Sequence, residues 1–274
     1  MKLSGQVAIV TGAGRGIGKS IALKLAGDGA MVVVNDLDAT EAEATVSQIT
    51  HAGGVASSFA GNIAHDDFGD EIVQFSVQTF GSLDIIVNNA GYTWDAVVQK
   101  TTDEQWYAMI DCHLTAPFRL LRAAYPILKE AHQHDQSEGR RRHRKIVNVS
   151  SVAGMFGNPG QASYSSAKAG VMGLTKTLAR EWGRINVNVN CVAFGLISTR
   201  LTADVRDGET VQIGDANIKI GVKSDLISRM EQDIPFKRMG TTEEAAGAVY
   251  VFCIPETNYV TGETLLCSGG LLAP

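Results

Sequence analysis

The stretch VAIVTGAGRGIGKS, residues 7–20, limits what this chain can fold into more than any other. An apolar run ends in Thr11, and Gly12, Gly14, Gly16 and Gly18 then alternate with other residues before an amphipathic segment begins. Glycines so placed permit a tight strand-to-helix turn and let an anion approach the backbone. The following helix N-terminus offers free N–H groups and the positive end of its dipole. The spacing is T-G-x-x-x-G-x-G (Thr11, Gly12, Gly16, Gly18), not G-x-G-x-x-G in register. It points to a pyrophosphate cradle, with a simple turn as the alternative.

Further β-rich apolar segments follow: MVVVND, VASSFAG, LDIIVNNAG, KIVNVSS, INVNVNCVA and GETLLCSGG. Amphipathic stretches separate most of them. This alternation predicts an α/β fold of the Rossmann type, a doubly wound parallel sheet with helices on both faces. Continuous apolar strands agree with burial on both sides. Thr101 and Thr102, followed three residues later by Glu104 and Gln105, are candidate capping boxes. Pro117 and Pro126 should each kink or break the helix they fall in. Another helix, opening at TTEE, should stop before Pro255. The 274 residues read as one dinucleotide-binding and catalytic domain with two insertions, 132–145 and 201–238.

The totals exclude several classes. A formal net charge of -5 argues against a nucleic-acid partner. The longest apolar run is far short of the roughly 18 residues of a membrane span, and the N-terminus lacks the pattern of a secretory signal. Cys112, Cys191, Cys253 and Cys267 stand singly without metal-ligand spacing, so reduced thiols, no metal and a cytoplasmic setting are expected.

Asp36 ends MVVVND about 20 residues beyond the loop, where a carboxylate can accept hydrogen bonds from an adenosine ribose. There it would repel a 2'-phosphate and favour NAD(H). Arg15, inside the loop, could instead pair with that phosphate, which keeps NADP(H) open. A cap on the next turn is the plainer reading of Asp36. Tyr164 and Lys168 lie four apart in a helical stretch and share one face. Ser151 falls at the carboxyl end of KIVNVSS, where open α/β sheets place ligands; Ser150 faces the other way.

The segments TGAGRGIG, NNAG, IVNVSS, YSSAK and YVTGETLLCSGG occur in the order and spacing of the short-chain dehydrogenase/reductase family, and the resemblance covers nearly the whole chain. It is similar above all to bacterial 3-oxoacyl thioester reductases and to hydroxyacyl and hydroxysteroid dehydrogenases. The resemblance implies Ser151, Tyr164 and Lys168 as catalytic residues and selects Ser151 over Ser150. It implies cofactor contacts at Gly12, Arg15, Gly16, Ile17 and Gly18, and at Asn89, Ala90 and Gly91 of NNAG. Asn62 stands where an aspartate usually faces the adenine, with Ile63 beside it, while Ile197 and Thr199 match the segment that holds the nicotinamide. Tyr164 and Lys168 also border the cofactor. A tyrosine pKa near 10 would have to fall for proton exchange at neutral pH, and Lys168 together with an oxidised nicotinamide is expected to lower it.

The pattern departs in places. His113 replaces an often catalytic asparagine, either keeping its role or serving as an ordinary helix histidine. Phe194 replaces a proline before Gly195, which predicts a more mobile loop or one shaped around an apolar substrate. Ser268 replaces an aspartate. Residues 201–238 are expected to form a substrate lid whose hairpin carries Val211, Ile213, Ile218 and Ile220, lining either an acyl site or the hairpin's own packing. The run RRRHRK reads as a solvated loop or, alternatively, a dock for an anionic partner such as a carrier protein, coenzyme A or RNA.

The expected function is NAD(P)(H)-dependent interconversion of a ketone and a secondary alcohol on a 3-oxoacyl or 3-hydroxyacyl thioester. A hydroxysteroid or other apolar alcohol is the alternative substrate, and a non-catalytic dinucleotide sensor the alternative class. The resemblance also implies a homo-oligomer, with a homotetramer as the expected form.

Overall fold

The computed structural model describes residues 1–202, 210–213, 216–219 and 224–271. In chain order the strands and helices are β1 (Val7–Val10), α1 (Gly16–Gly27), β2 (Met31–Asp36), α2 (Ala39–His51), β3 (Val55–Ala60), α3 (Phe68–Phe80), β4 (Ile85–Asn88), α4 (Asp103–Ile110), α5 (Ala116–Ser137), β5 (Arg144–Ser151), α6 (Val152–Phe156), α7 (Ala162–Trp182), β6 (Val187–Phe194), β7 (Thr210–Ile213), β8 (Ala216–Lys219), α8 (Ser224–Asp233), α9 (Thr242–Val251) and β9 (Thr264–Cys267). Seven strands form one parallel sheet in the order β3-β2-β1-β4-β5-β6-β9. The strand order reverses between β1 and β4, and the crevice beyond their carboxyl ends is where such sheets bind ligands.

Strand alternation divides the core into two layers. Ala8 and Val10 of β1 face one cluster with Ile21 and Leu25 of α1 and Val249 of α9, while Ile9 faces the other with Ile72, Leu120 and Trp182. Helices therefore cover both faces, as the alternating sequence predicted. Among the described residues two capping boxes form, Thr102 with Gln105 on α4 and Thr241 with Glu244 on α9. Asp38 caps α2 through Thr40 and Glu41.

Three expectations are corrected. Pro126 does not break its helix, which runs from Ala116 to Ser137; Pro117 lies in the first turn, where its missing N–H is tolerated. The distortion is a π-helical turn just upstream, Asp111–Thr115. Phe194 does not loosen a loop: it ends β6, is only 5% exposed, and packs in the same core layer as Ile197. The hydroxyl of Ser268 donates to Leu271 O at 2.9 Å and ties its own turn.

The third concerns the basic run, which is not simply solvated. Arg144 and Lys145 open β5 at 4% and 2% exposure. Arg144 pairs with Asp135 at 2.9 Å and with buried Asp84 at 3.7 Å, and Arg142 reaches Asp84 at 3.3 Å. Arg140 pairs with Asp135 at 3.3 Å and with Glu138. Carboxylates from α5 and from the residue preceding β4 thus neutralise these arginines.

The hairpin expected within 201–238 is present in the backbone, with β7 and β8 antiparallel and Val211 opposite Ile218. Ile220 and the direction taken by the apolar side chains of the hairpin lie outside the described residues. Among the described residues no helix is long and apolar enough to cross a membrane and no His, Cys, Asp and Glu cluster could hold a metal. The four cysteines are unbridged.

Asp84 also accepts from Val7 N at 2.9 Å and Ser82 Oγ at 3.2 Å. Asp84→Ala would strand that N–H and remove a carboxylate from buried Arg144, an expected loss of about 3–5 kcal/mol in urea unfolding. The half-exposed Arg142→Ala should cost less than about 1 kcal/mol in the same assay.

Candidate active site

The glycine loop is fastened to the end of β4. Thr11 N donates to Val87 O at 3.1 Å, and the Thr11 hydroxyl accepts from Asn89 N and Ala90 N, both at 3.0 Å. Asn89 Nδ2 returns the grip, donating to Thr11 O at 2.9 Å and Gly12 O at 3.1 Å. A Cβ on Gly18 would stand 2.1 Å from Gly12 O, so the first turn of α1 closes onto the loop only with glycine there. No side chain caps α1, whose extended Arg15 precedes it, which leaves its terminal N–H groups available to an anion.

The remaining candidate cofactor positions surround this loop. Gly14 N donates to Asp36 Oδ2 at 2.9 Å, and Arg15 pairs with Asp38 at 2.8 Å and Glu41 at 3.1 Å. Asn62 Oδ1 accepts from Ala64 N at 3.0 Å, and Ile63 borders a small cavity with Thr11, Ala90 and Pro117. Thr199 Cγ2 lies 3.7 Å from where a Gly16 Cβ would be, and Ile197 bridges to Gly240, so the segment after β6 meets the glycine loop. Asn88 turns away, its Nδ2 donating to Asn148 Oδ1 at 2.8 Å inside the sheet. A nicotinamide dinucleotide suits this arrangement: a glycine cradle with free helix N–H groups, a carboxylate at the end of β2, and a closing segment after β6.

Across the crevice, β5 ends in Ser151, whose Oγ caps α6 by accepting from Ala153 N at 3.2 Å and whose hydroxyl lies beside the Tyr164 phenol. Helix α7 presents Tyr164 and Lys168 one turn apart. Lys168 Nζ donates to Val149 O at 2.7 Å and lies 5.7 Å from the centroid of the Tyr164 ring. Ser150, on the other side of the strand, donates to Lys168 O at 2.7 Å and holds α7 against β5. The three residues therefore meet at the carboxyl rim.

The chain's own groups set the electrostatics of the site before any cofactor binds. Burial pushes the Tyr164 phenol up to about 12, nearby Asp95 and Cys112 add to the rise, and only Ser151 pulls it back. Burial also brings Lys168 down to about 8. The chain's own groups thus keep the phenol protonated at neutral pH, because burial disfavours the phenolate.

His113 occupies the π-helical turn, with Nε2 at 2.7 Å from Tyr92 O and its ring edge-on to Tyr164 at a centroid distance of 5.0 Å. A Cβ on Gly91 would stand 2.3 Å from His113 Cε1, so the glycine of NNAG gives the imidazole its space. Asp95 escaped the sequence reading: it accepts from Gln161 Nε2 at 2.9 Å, while Ala96 N bonds to Gly160 O, closing the rim near Tyr164. Its partner lies 66 residues on, and no periodicity or spacing rule marks such a pair.

This fold and these residues define a dinucleotide-dependent oxidoreductase acting on CH–OH groups. The family model for short chain dehydrogenases matches residues 6–210, and the chain belongs to that family. It is 39% identical over 272 residues to the 3-oxoacyl-[acyl-carrier-protein] reductase of Synechocystis sp., covering 98% of each chain. With the Thermotoga maritima protein of the same name it shares 34% over 272 residues, covering 99% of this chain and 100% of the other. The crystal structure of a protein assigned as a short-chain alcohol dehydrogenase from Sinorhizobium meliloti superposes with a TM-score of 0.85 at 30% identity, covering 98% and 97% of the two chains.

Lys168 is 4% exposed and has no carboxylate partner among the contacts described. Lys168→Met should therefore raise stability at pH 7, by about 1–4 kcal/mol, while abolishing turnover. The wild type gains stability as pH rises from about 8 toward the unfolded lysine's 10.5, because there the unfolded chain holds the extra proton. Unfolding curves at pH 7 and pH 10 should accordingly show the advantage of the variant shrinking.

Proposed function

We propose that this chain reduces 3-oxoacyl thioesters to 3-hydroxyacyl thioesters with NADH, and runs the reverse oxidation with NAD. The observation that carries the reading is the meeting of Ser151, Tyr164 and Lys168 at the carboxyl rim of β5, across the crevice from a clamped glycine loop. The thioester is favoured by the likeness to proteins named 3-oxoacyl-[acyl-carrier-protein] reductase, and a carrier-bound or coenzyme A ester is the expected partner.

The bound nicotinamide supplies the hydride that reaches the carbonyl carbon. Gly12, Gly16, Gly18 and the α1 N-terminus hold the pyrophosphate, with Arg15, Ile17, Asn62, Ile63, Asn89, Ala90 and Gly91 around the nucleotide and Ile197 and Thr199 beside the nicotinamide. Tyr164 donates its phenolic proton to the substrate oxygen as that oxygen gains charge, and Ser151 holds the same oxygen through its hydroxyl. Lys168 then balances the phenolate. A phenol that starts protonated suits the reducing direction directly; alcohol oxidation needs it ionised, so oxidation should quicken with rising pH while reduction does not.

Preference for NADH rests on charge. Asp36, bound to Gly14 N, stands with Asp38 and Glu41 beside the loop, and its one cation, Arg15, is already held by Asp38 and Glu41. A 2'-phosphate would enter a cluster with a net negative balance. On this reading the chain works as a single catalytic domain with 201–238 as its lid, in a cytoplasmic homo-oligomer.

The test follows NADH and NADPH oxidation with a short 3-oxoacyl coenzyme A ester. Wild type should turn over faster with NADH, and Asp36→Ala should narrow the preference about tenfold, the effect of one charged hydrogen bond. Tyr164→Phe should lower kcat at least about a hundredfold while NADH still binds. Faster turnover with NADPH would overturn the cofactor assignment, and retained turnover in Tyr164→Phe the mechanism.

A further inference from the structure

Strand β3 lies at the edge of the sheet, so the segment that leaves it has a strand neighbour on one side only. Gly61 is still tied to β2, its N–H donating to Asp36 O at 3.0 Å and its carbonyl accepting from Asn35 Nδ2 at 3.2 Å. Beyond Gly61 the bonds turn inward. Ala64 N donates to Asn62 Oδ1 at 3.0 Å, and His65 N donates to Asn62 O at 3.1 Å. These bonds shape the turn 62–66 without fastening it to the body of the fold.

Among the described residues, one side chain from another element makes polar contact with 62–66: Arg119, near the start of α5. Its Nη1 donates to Ala64 O at 3.3 Å and its Nη2 pairs with Asp66 at 2.8 Å. A planar guanidinium can serve two such acceptors at once, which a lysine cannot do in the same geometry. The reach depends on Gly69. A Cβ there would stand 3.0 Å from both Arg119 O and Leu120 Cα, so α3 approaches the α5 backbone closely and brings the turn that precedes it under the arginine. Ala116, Pro117 and Leu120 of α5 also share a small cavity with Ile63 and Phe68.

We infer that Arg119 is a positioning residue for the adenine end of the dinucleotide site: by holding Ala64 it sets the Asn62 side chain and the place of Ile63 without touching the cofactor. The inference rests on the proposed nucleotide contacts of Asn62 and Ile63. Ala64 is the link, because its carbonyl is gripped by the arginine while its N–H grips the Asn62 amide. A turn that is already in place spares the cofactor the cost of ordering it. The Arg119 side chain is 27% exposed and that of Asp66 is 84% exposed, so their ion pair adds little to the stability of the fold. The effect of the clamp therefore falls on binding of the adenosine half, remote from the hydride step at Ser151 and Tyr164.

The test measures affinities for ADP, NADH and reduced nicotinamide mononucleotide by titration of wild type and Arg119→Ala. ADP carries the adenosine and pyrophosphate, and the mononucleotide carries the other end of the cofactor. Arg119→Ala should weaken ADP and NADH by the same factor, about three- to tenfold, the worth of one hydrogen bond, with the mononucleotide within about twofold. In turnover, KM for NADH should rise while kcat holds. Arg119→Lys keeps a charge for Asp66 and gives up the fork, so its ADP affinity should fall between the two.

An unchanged ADP affinity in Arg119→Ala overturns the inference. So does an equal loss for the mononucleotide, which would mark the arginine as a general support of the fold. Should Arg119→Ala not fold, Asp66→Asn at its exposed position carries the test, with ADP expected to bind about two- to fourfold more weakly and an unchanged affinity overturning the inference. The two readings fail differently. A wild type that binds neither ADP nor NADH removes the proposed function and this inference with it, whereas a wild type that binds both beside an unaltered Arg119→Ala removes the inference alone.

Discussion

The grip between Thr11 and Asn89 is the interaction on which the rest of the site depends. A glycine loop has few side chains of its own to hold it, and its conformational entropy is the highest of any segment type. Bonds from β4 fix both its main chain and the Thr11 hydroxyl, so the cradle exists before any ligand arrives. The same few residues join β1 to β4 at the point where strand order reverses, which makes the crevice and the cradle one structure.

From that point the chemistry is arranged by the carboxyl rim of the sheet. Strand β4 delivers NNAG, β5 delivers Ser151, and β6 delivers the segment that meets Gly16, while α7 is bound to β5 from both sides through Ser150 and Lys168. The ammonium is consequently placed by a backbone contact rather than by the phenol. Their pKa values follow from this: each is set first by burial, and the tyrosine rises while the lysine falls.

Features that depend on local order were legible in the sequence. The alternation of apolar segments gave the layers, Thr102 and Gln105 gave a cap, and the four-residue step from Tyr164 to Lys168 gave a shared helix face. Quantities that depend on distant partners were not. The acidity of Tyr164 reflects the packing around it, and the arginines of 140–144 looked solvated because their counter-charges, Asp84 and Asp135, lie outside the run. Phe194 read as loop for a related reason, since only the register of β6 against β5 and β9 shows that it ends a strand. Asp95 and Gln161 form a pair that no pattern announces.

The ion pairs between Arg144, Asp135 and Asp84 bear on how the chain assembles. Parallel strands are slow to pair because the crossover between them must be closed before any contact rewards it. Asp135 and Arg144 are only nine residues apart, one near the end of α5 and the other at the start of β5. Their attraction turns the chain from helix to strand over a short loop, and Asp84 then draws the start of β5 toward the start of β4. A basic run at the edge remote from the chemistry thereby ties the end of α5 to the start of β5 through a local pair and to the start of β4 through a long-range one.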